Sequence, residues 1–309
     1  MSQQSPHYSV LLAESLDGLR IKPDGIYIDG TFGRGGHSRA ILDRLGEQGK
    51  LIGIDQDPDA VAHAKANLVD KRFEIVHASF ADLAQICEAR GLSGKIDGVL
   101  LDLGVSSPQL DEAERGFSFM REGPLDMRMN PQQGQSAKDW LQEVDEKTLA
   151  AVLRNYGEER FAYKIARAVC NDARLGLINT TRDLAELIGR VSPKKEKNKH
   201  PATRSFQAIR IHINRELEVL KTVLEASVKV LAPQGRLSVI SFHSLEDRIV
   251  KHFMRDQSKV EDLFPGLPML IAGSEPVLKV VGKPRFPSDQ ECNENPRSRS
   301  AVLRVAERV

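Results

Sequence analysis

From residue 26 onward the chain alternates short apolar runs with stretches whose apolar residues recur every three or four positions. Residues 26–28, 50–54 and 73–76 have the length of strands, and 96–103 is apolar enough for a central strand covered on both faces. Strands that alternate with helices predict a parallel sheet flanked by helices, one half of a doubly wound fold. The pattern returns near the C-terminus. Residues 216–231 predict a helix, Pro233-Gln234-Gly235 a turn and 236–242 a further strand, after which 277–281 and 300–305 predict an antiparallel pair at the sheet edge.

Between these halves, residues 111–206 carry no comparable strand, and helical patterns over 140–154 and 158–170 dominate. The expected organisation is a discontinuous domain, residues 1–110 and 207–309, interrupted by a substrate-binding helical insertion at 111–206. Phe206, Ile209, Ile213, Leu217, Leu220 and Leu224 lie three or four residues apart, which predicts one continuous helix from the insertion to the sheet.

The 309 residues exceed the needs of one small core and suit a domain with such an insertion. Forty-four basic against 43 acidic side chains leave a net charge of +1, so affinity for nucleic acid has to come from local clusters. Between Arg190 and Arg215 stand eight lysines and arginines, among them Lys194, Lys195, Lys197, Lys199 and Arg204, against the single acid Glu196. They suit a phosphate-facing surface, although a solvated loop would show the same charges. Arg297 and Arg299 add a smaller group, and the planar guanidinium suits phosphate. Cys87, Cys170 and Cys292 are far apart with no nearby Cys/His pairing, so neither a disulfide framework nor a metal site is expected. No run approaches the roughly 18 apolar residues of a membrane span. The polar N-terminus lacks the basic-then-apolar order of a secretory signal, so a cytoplasmic protein without a membrane partner is expected.

Candidate chemistry gathers at strand ends. Asp29-Gly30-Thr31-Phe32-Gly33-Arg34-Gly35-Gly36-His37-Ser38 joins the first strand of the alternating region to a helix. Glycines there let the backbone approach a ligand and take positive φ, and free helix N–H groups favour a carboxylate. Asp55 ends the second strand, where a carboxylate can accept hydrogen bonds from both ribose hydroxyls; a nicotinamide enzyme would share that feature. Two details favour S-adenosylmethionine. Asp29 would repel a pyrophosphate yet could hold an amino group, and Gly33-x-Gly35-Gly36 is not G-x-G-x-x-G. Phe80, after the third strand, suits an adenine face and a core position equally.

The fourth strand leads into Asp102-Leu103-Gly104-Val105-Ser106-Ser107-Pro108-Gln109, and ligands of open α/β sheets bind beyond such strand ends. Asp102, Ser106, Ser107 and Gln109 offer acceptors that could align an exocyclic base amine with a methyl group. Such an amine is a poor nucleophile because its lone pair is delocalised, so alignment matters. The two serines suit turn or cap roles as well. His243, in Ser241-Phe242-His243-Ser244-Leu245-Glu246-Asp247-Arg248, suits a base, a base-stacking group or an ordinary hydrogen-bonded side chain. Ser244 with Asp247 has capping-box spacing.

Further motifs are Arg115-Gly116-Phe117-Ser118-Phe119, Gly123-Pro124-Leu125-Asp126-Met127-Arg128-Met129, Ala202-Thr203-Arg204 and Asn295-Pro296-Arg297-Ser298-Arg299-Ser300. Together with the strand-end motifs they resemble the bacterial small-subunit ribosomal RNA (cytosine-N4)-methyltransferase family, also called MraW or RsmH. The resemblance spans nearly the whole chain. It implies a Rossmann-like S-adenosylmethionine-dependent methyltransferase sheet with an inserted helical domain that helps hold the substrate. It implies donor contacts at Gly35, Gly36, His37, Asp55, Phe80, Asp102 and Gln109. The implied substrate is a cytidine N4 amine in the decoding region of 16S rRNA; a small ribosomal subunit particle is the expected partner, although the sequence does not separate it from naked RNA, and a homodimer is compatible with the sequence. Asn130 departs from the family pattern, which has Asp after Met129. The Asp/Asn-Pro-Pro-Tyr/Phe motif of DNA amino-methyltransferases is absent, which speaks against DNA. A nicotinamide oxidoreductase and a non-catalytic ribosome-assembly factor are the rival expectations.

Overall fold

A computed structural model describes residues 9–192, 200–259 and 275–309. The chain runs through α1 (Leu12–Leu19), β1 (Ile26–Asp29), α2 (Gly36–Leu42), β2 (Lys50–Asp55), α3 (Pro58–Asn67), β3 (Phe73–His77), α4 (Leu83–Glu88) and β4 (Ile96–Asp102). Helices α5 (Ser107–Asp111), α6 (Ala137–Glu143), α7 (Glu146–Gly157), α8 (Ala162–Arg174), α9 (Thr181–Val191) and α10 (Thr203–Ile213) follow. The chain closes with α11 (Glu216–Val230), β5 (Leu231–Ser241), α12 (Ser244–Gln257), β6 (Leu278–Val280), α13 (Asp289–Glu294) and β7 (Val302–Arg308). These elements form two compact units, residues 1–104 with 217–309, and residues 105–216.

The first unit is the expected Rossmann-like α/β sheet. Its strands lie in the order β3-β2-β1-β4-β5-β7-β6, with β1 to β5 parallel and β7 antiparallel to both neighbours. From β1 the chain moves outward through β2 and β3, then returns to lay β4 on the other side of β1. That reversal leaves the C-terminal ends of β1 and β4 side by side, the usual ligand position in such sheets. Asp29, Asp55 and Asp102 are the last residues of β1, β2 and β4. Val99, Leu100 and Leu101 of β4 are 0% exposed, as a strand covered on both faces requires. Side chains of α4, α11 and α12 cover one face of the sheet, and those of α1 and α2 pack with Tyr27, Leu51 and Leu100.

Two sheet details differ from the sequence pattern. Pro233-Gln234-Gly235 lies within β5 as an irregularity, with Gln234 at φ +66°, and the pairing with β4 jumps from Leu231↔Ile96 to Arg236↔Gly98. β7 lies between β5 and β6, so only β6 of that pair is an edge strand.

The second unit is helical, with one core built from α6 to α10 and residues such as Leu125 and Met127. The apolar spacing over 206–224 does not make one helix. Asn214 ends α10: its Oδ1 accepts from the Met129 N–H at 2.7 Å, and its Nδ2 donates to the Met127 and Arg210 carbonyls at 2.8 and 2.9 Å. Arg215 then turns at φ +50°, so α10 belongs to the helical unit and α11 to the sheet. The pattern over 140–154 also breaks, because Asp145 caps α7 by accepting from the Thr148 N–H at 2.9 Å. Among the described residues no helix is long and apolar enough to cross a membrane.

Candidate active site

Within the sheet unit the glycine loop is shaped by backbone geometry first. Gly33 and Gly35 take φ of +55° and +74°, and Gly35 is the N-cap of α2. A Cβ at Gly35 would lie 2.6 Å from the Phe32 ring, and one at Gly36 would fall on the Ser9 hydroxyl. The loop therefore needs glycine for its own packing.

Two carboxylates hold this loop. Asp55 Oδ2 accepts from the Gly33 N–H at 2.8 Å and Oδ1 from the Asp57 N–H at 2.9 Å. Burial pushes the Asp55 carboxyl up to about 6; those two N–H groups oppose the rise, while the Asp57 and Asp29 charges add to it. Asp29 is 1% exposed, with Oδ2 accepting from the Ser38 hydroxyl at 2.6 Å and Oδ1 from the Thr31 N–H at 3.2 Å. Burial raises its pKa against the opposing effects of His37, Ser38 and Thr31. These internal bonds make Asp29 a brace of the loop.

Asp102 differs from both. Its backbone N–H donates to Thr31 Oγ1 at 2.7 Å, which ties the end of β4 to the glycine loop. Its Oδ2 lies 3.6 Å from His37 Nδ1, while Oδ1 is buried with no hydrogen-bond partner among the described residues. Burial raises the Asp102 pKa to about 6; His37 counters the rise, and the Asp29 and Glu246 charges reinforce it. An unpartnered buried carboxylate oxygen is costly and marks a place for a donor from a ligand. His37 is itself buried, with Nε2 3.1 Å from the Val10 carbonyl. Phe80 opens a short 3₁₀ turn and is half-buried against the sheet-unit core, so part of its surface stays open.

His243 has a different setting from that expected of a base. It is the N-cap of α12: its Nδ1 accepts from the Glu246 N–H at 3.4 Å, and Glu246 Oε2 accepts from the His243 and Phe242 N–H groups at 3.3 and 2.8 Å. The capping pair is thus His243 with Glu246, and not Ser244 with Asp247. Asp247 instead takes both guanidinium bonds of Arg304, at 2.7 and 3.0 Å. With Nδ1 occupied, the neutral ring carries its proton on Nε2. That nitrogen lies 3.2 Å from Glu246 Oε1, near enough for an ion pair, yet it is buried and too poorly aligned for a hydrogen bond.

In the helical unit, Ser106 and Gln109 cap each other. Ser106 Oγ accepts from the Gln109 N–H at 3.4 Å and Gln109 Oε1 from the Ser106 N–H at 3.0 Å. Ser107 is the first residue of α5 and is half-buried. Arg204 donates to the Glu158 carbonyl at the end of α7, at 3.2 Å. Asn130 Oδ1 accepts from the Gln132 N–H at 3.0 Å, an Asx turn that aspartate would make equally. Arg297 and Arg299, in the sheet unit, are exposed on the turn Pro296–Ser300. Lys194, Lys195, Lys197 and Lys199 lie outside the described residues.

The structure thus links Asp29, Gly33, Gly35, Gly36, His37, Asp55 and Asp102 through short bonds and close packing. Sequence reasoning missed Thr31, Ser38 and Glu246. The Asp29-x-Thr31 spacing of an Asx turn and the His243-x-x-Glu246 spacing of a cap were available signals. Ser38 carried none, because its bond to Asp29 depends on where α2 begins.

The profile of the MraW methylase family matches residues 4–309. The chain belongs to that family. Ribosomal RNA small subunit methyltransferase H of Hydrogenovibrio crunogenus is 68% identical over 306 residues, covering 99% of this chain and 98% of the relative. Among solved structures, a Clostridium thermocellum chain aligns with a TM-score of 0.47 and 12% identity, over 98% of this chain and 99% of that one. An rRNA methylase from Streptococcus thermophilus aligns at 0.43 and 10%, over 98% of each. Family membership turns the strand-end carboxylates from general ligand-holding groups into candidates for methyl-transfer chemistry.

Proposed function

We propose that this protein transfers a methyl group from S-adenosylmethionine to the exocyclic N4 amine of a cytidine in the decoding region of 16S rRNA. The coarser part follows from the MraW family and the 68% identical relative: the chain is a methyltransferase of small-subunit ribosomal RNA. That membership sets aside the nicotinamide oxidoreductase and the non-catalytic assembly factor.

The residues of the sheet unit fit S-adenosylmethionine. Each Asp55 oxygen accepts one N–H and retains a lone pair for a ribose hydroxyl. The backbone of Gly33, Gly35 and Gly36 would hold the amino-acid end, and the open side of Phe80 suits the adenine. When bound, S-adenosylmethionine supplies an electrophilic methyl group on a sulfonium.

The observation that carries the reading is the buried, unpartnered Oδ1 of Asp102 at the end of β4. A carboxylate oxygen there accepts a hydrogen bond from the amine, turns its lone pair toward the methyl group and favours the positive charge that develops on nitrogen. No comparable part is assigned to Ser106 or Gln109, whose Oγ and Oε1 cap α5, or to His243, whose Nδ1 caps α12. Ser107 and the arginines Arg204, Arg297 and Arg299 are proposed on the RNA side, in a small ribosomal subunit particle in the cytoplasm.

Immature small subunits incubated with labelled donor and enzyme, followed by mass mapping of 16S rRNA, test the reaction. We expect one methyl at one cytidine N4. Asp102→Ala should lower the rate by about a hundredfold or more. Label on another atom would refute the N4 assignment, and activity within a few-fold of wild type would remove Asp102 from the mechanism.

A further inference from the structure

We propose that His37 is a positioning residue for Asp102, seated by a strap formed by residues 9–11. The inference rests on the reading of Asp102 as the acceptor for the amine. His37 is the second residue of α2, and its ring lies between two oxygens of the sheet unit. Nε2 faces the Val10 carbonyl at 3.1 Å and Nδ1 faces Asp102 Oδ2 at 3.6 Å. A carbonyl only accepts, so the ring proton sits on Nε2. At 3.6 Å, Nδ1 is within ion-pair reach of Oδ2. His37 therefore favours one orientation of Asp102, with Oδ2 toward the ring and Oδ1 left for substrate.

The strap explains why the ring cannot drift. Val10 and Leu11 are buried with Ile240, Leu303 and Val305, and Leu11 turns at φ +51° with its N–H donating to Glu291 Oε1 at 2.8 Å. Ser9 lies directly against Gly36, so the strap covers the first turn of α2. Glu291, Leu11, Val10, His37 and Asp102 form one chain of contacts, from the C-terminal part of the sequence to the reacting position. It gives a job to His37, which the sequence placed in the donor pocket, and to Glu291, which the sequence did not single out.

Three titratable groups act on Asp102: His37 from α2, Asp29 from β1 and Glu246 from α12. The two acids disfavour its charged form and His37 alone of the three supports it, so losing His37 raises the pH at which Asp102 ionises.

The test uses the full-length protein, with S-adenosylmethionine affinity from calorimetry and single-turnover methyl transfer to immature small subunits measured across pH 5.5–8.5. His37→Gln keeps an N–H able to reach Val10 and removes the ring from Asp102. We expect donor affinity within about threefold of wild type, a rate loss of about tenfold at pH 6 that shrinks at pH 8, and an acid limb moved to higher pH. Glu291→Ala should move the limb the same way by a smaller amount, and Glu291→Gln should restore it. Should His37→Gln fail to fold, His37→Asn and the Glu291 pair carry the test. Weakened donor binding with a rate ratio constant in pH would overturn the inference, since His37 would then only shape the loop; an unmoved limb in folded Glu291→Ala would overturn the strap. Asp102→Asn separates the two readings. Near-normal transfer by that variant refutes the reading of Asp102, whereas an inactive Asp102→Asn with an unmoved limb in His37→Gln refutes only the role of His37.

Discussion

Replacing Asp102 with asparagine should end methyl transfer and, at neutral pH, stabilise the protein. Burial lifts the Asp102 carboxyl from 3.8 to about 6 in the folded state. Below the lower value both folded and unfolded chains carry the proton. Between the two, the folded chain holds a proton that the unfolded chain releases, so stability falls as pH rises. Above about 6 both are ionised and the full cost is present. At about 1.36 kcal/mol per pH unit, the interval corresponds to roughly 3 kcal/mol. A quarter of the Asp102 side chain is exposed, little enough for most of that figure to survive solvent screening. Asparagine cannot ionise, so its advantage over aspartate should grow through this range. Thermal unfolding of both proteins at pH 4, 5, 6 and 7, followed by circular dichroism, measures it. A 3 kcal/mol difference corresponds to a gap in Tm that widens by on the order of 6 °C from pH 4 to pH 7. A gap constant in pH would refute the claim that Asp102 is held ionised against its surroundings, and with it the idea of an acceptor kept ready at a cost in stability.

Gly35→Ala, which forces a Cβ against Phe32 at φ +74°, should destabilise the sheet unit by about 1–3 kcal/mol and weaken S-adenosylmethionine binding, both measurable by calorimetry. Asn214→Ala removes two hydrogen bonds that hold the Met127 turn to the end of α10 and a third within α10, and should cost about 2–4 kcal/mol, with faster amide exchange at Met129. Arg297→Ala with Arg299→Ala, both exposed, should lower the slope of log affinity for RNA against log salt by about 1–2 while donor affinity stays unchanged. An unaltered slope would place the RNA elsewhere.

Strands β1 to β4 were legible because each is a short, largely apolar run bounded by turn residues, and β4 in particular is buried on both faces. The long apolar spacing from Phe206 to Leu224 misled, since two consecutive helices can preserve a three-and-four spacing across a break. The break is made by Asn214 bonding to Met127 and Met129, 85 or more residues earlier. Glu246 was overlooked for a related reason. Ser244 is a better cap than histidine by residue preference, yet the geometry at the end of β5 puts His243 at the N-cap position.

The sequence by itself determined the order of strands and helices, the acids that end β1, β2 and β4, and the family, because periodicity and motif are properties of neighbours along the chain. Only the tertiary structure decided what those acids do. Asp29 and Asp55 accept hydrogen bonds from the glycine loop and its surroundings, whereas Asp102 keeps one oxygen unpartnered. Hydrogen bonding and burial depend on which atoms the fold brings within about 3 Å. Three aspartates at three strand ends look alike until Ser38, Thr31, Asp57 and His37 have been placed around them.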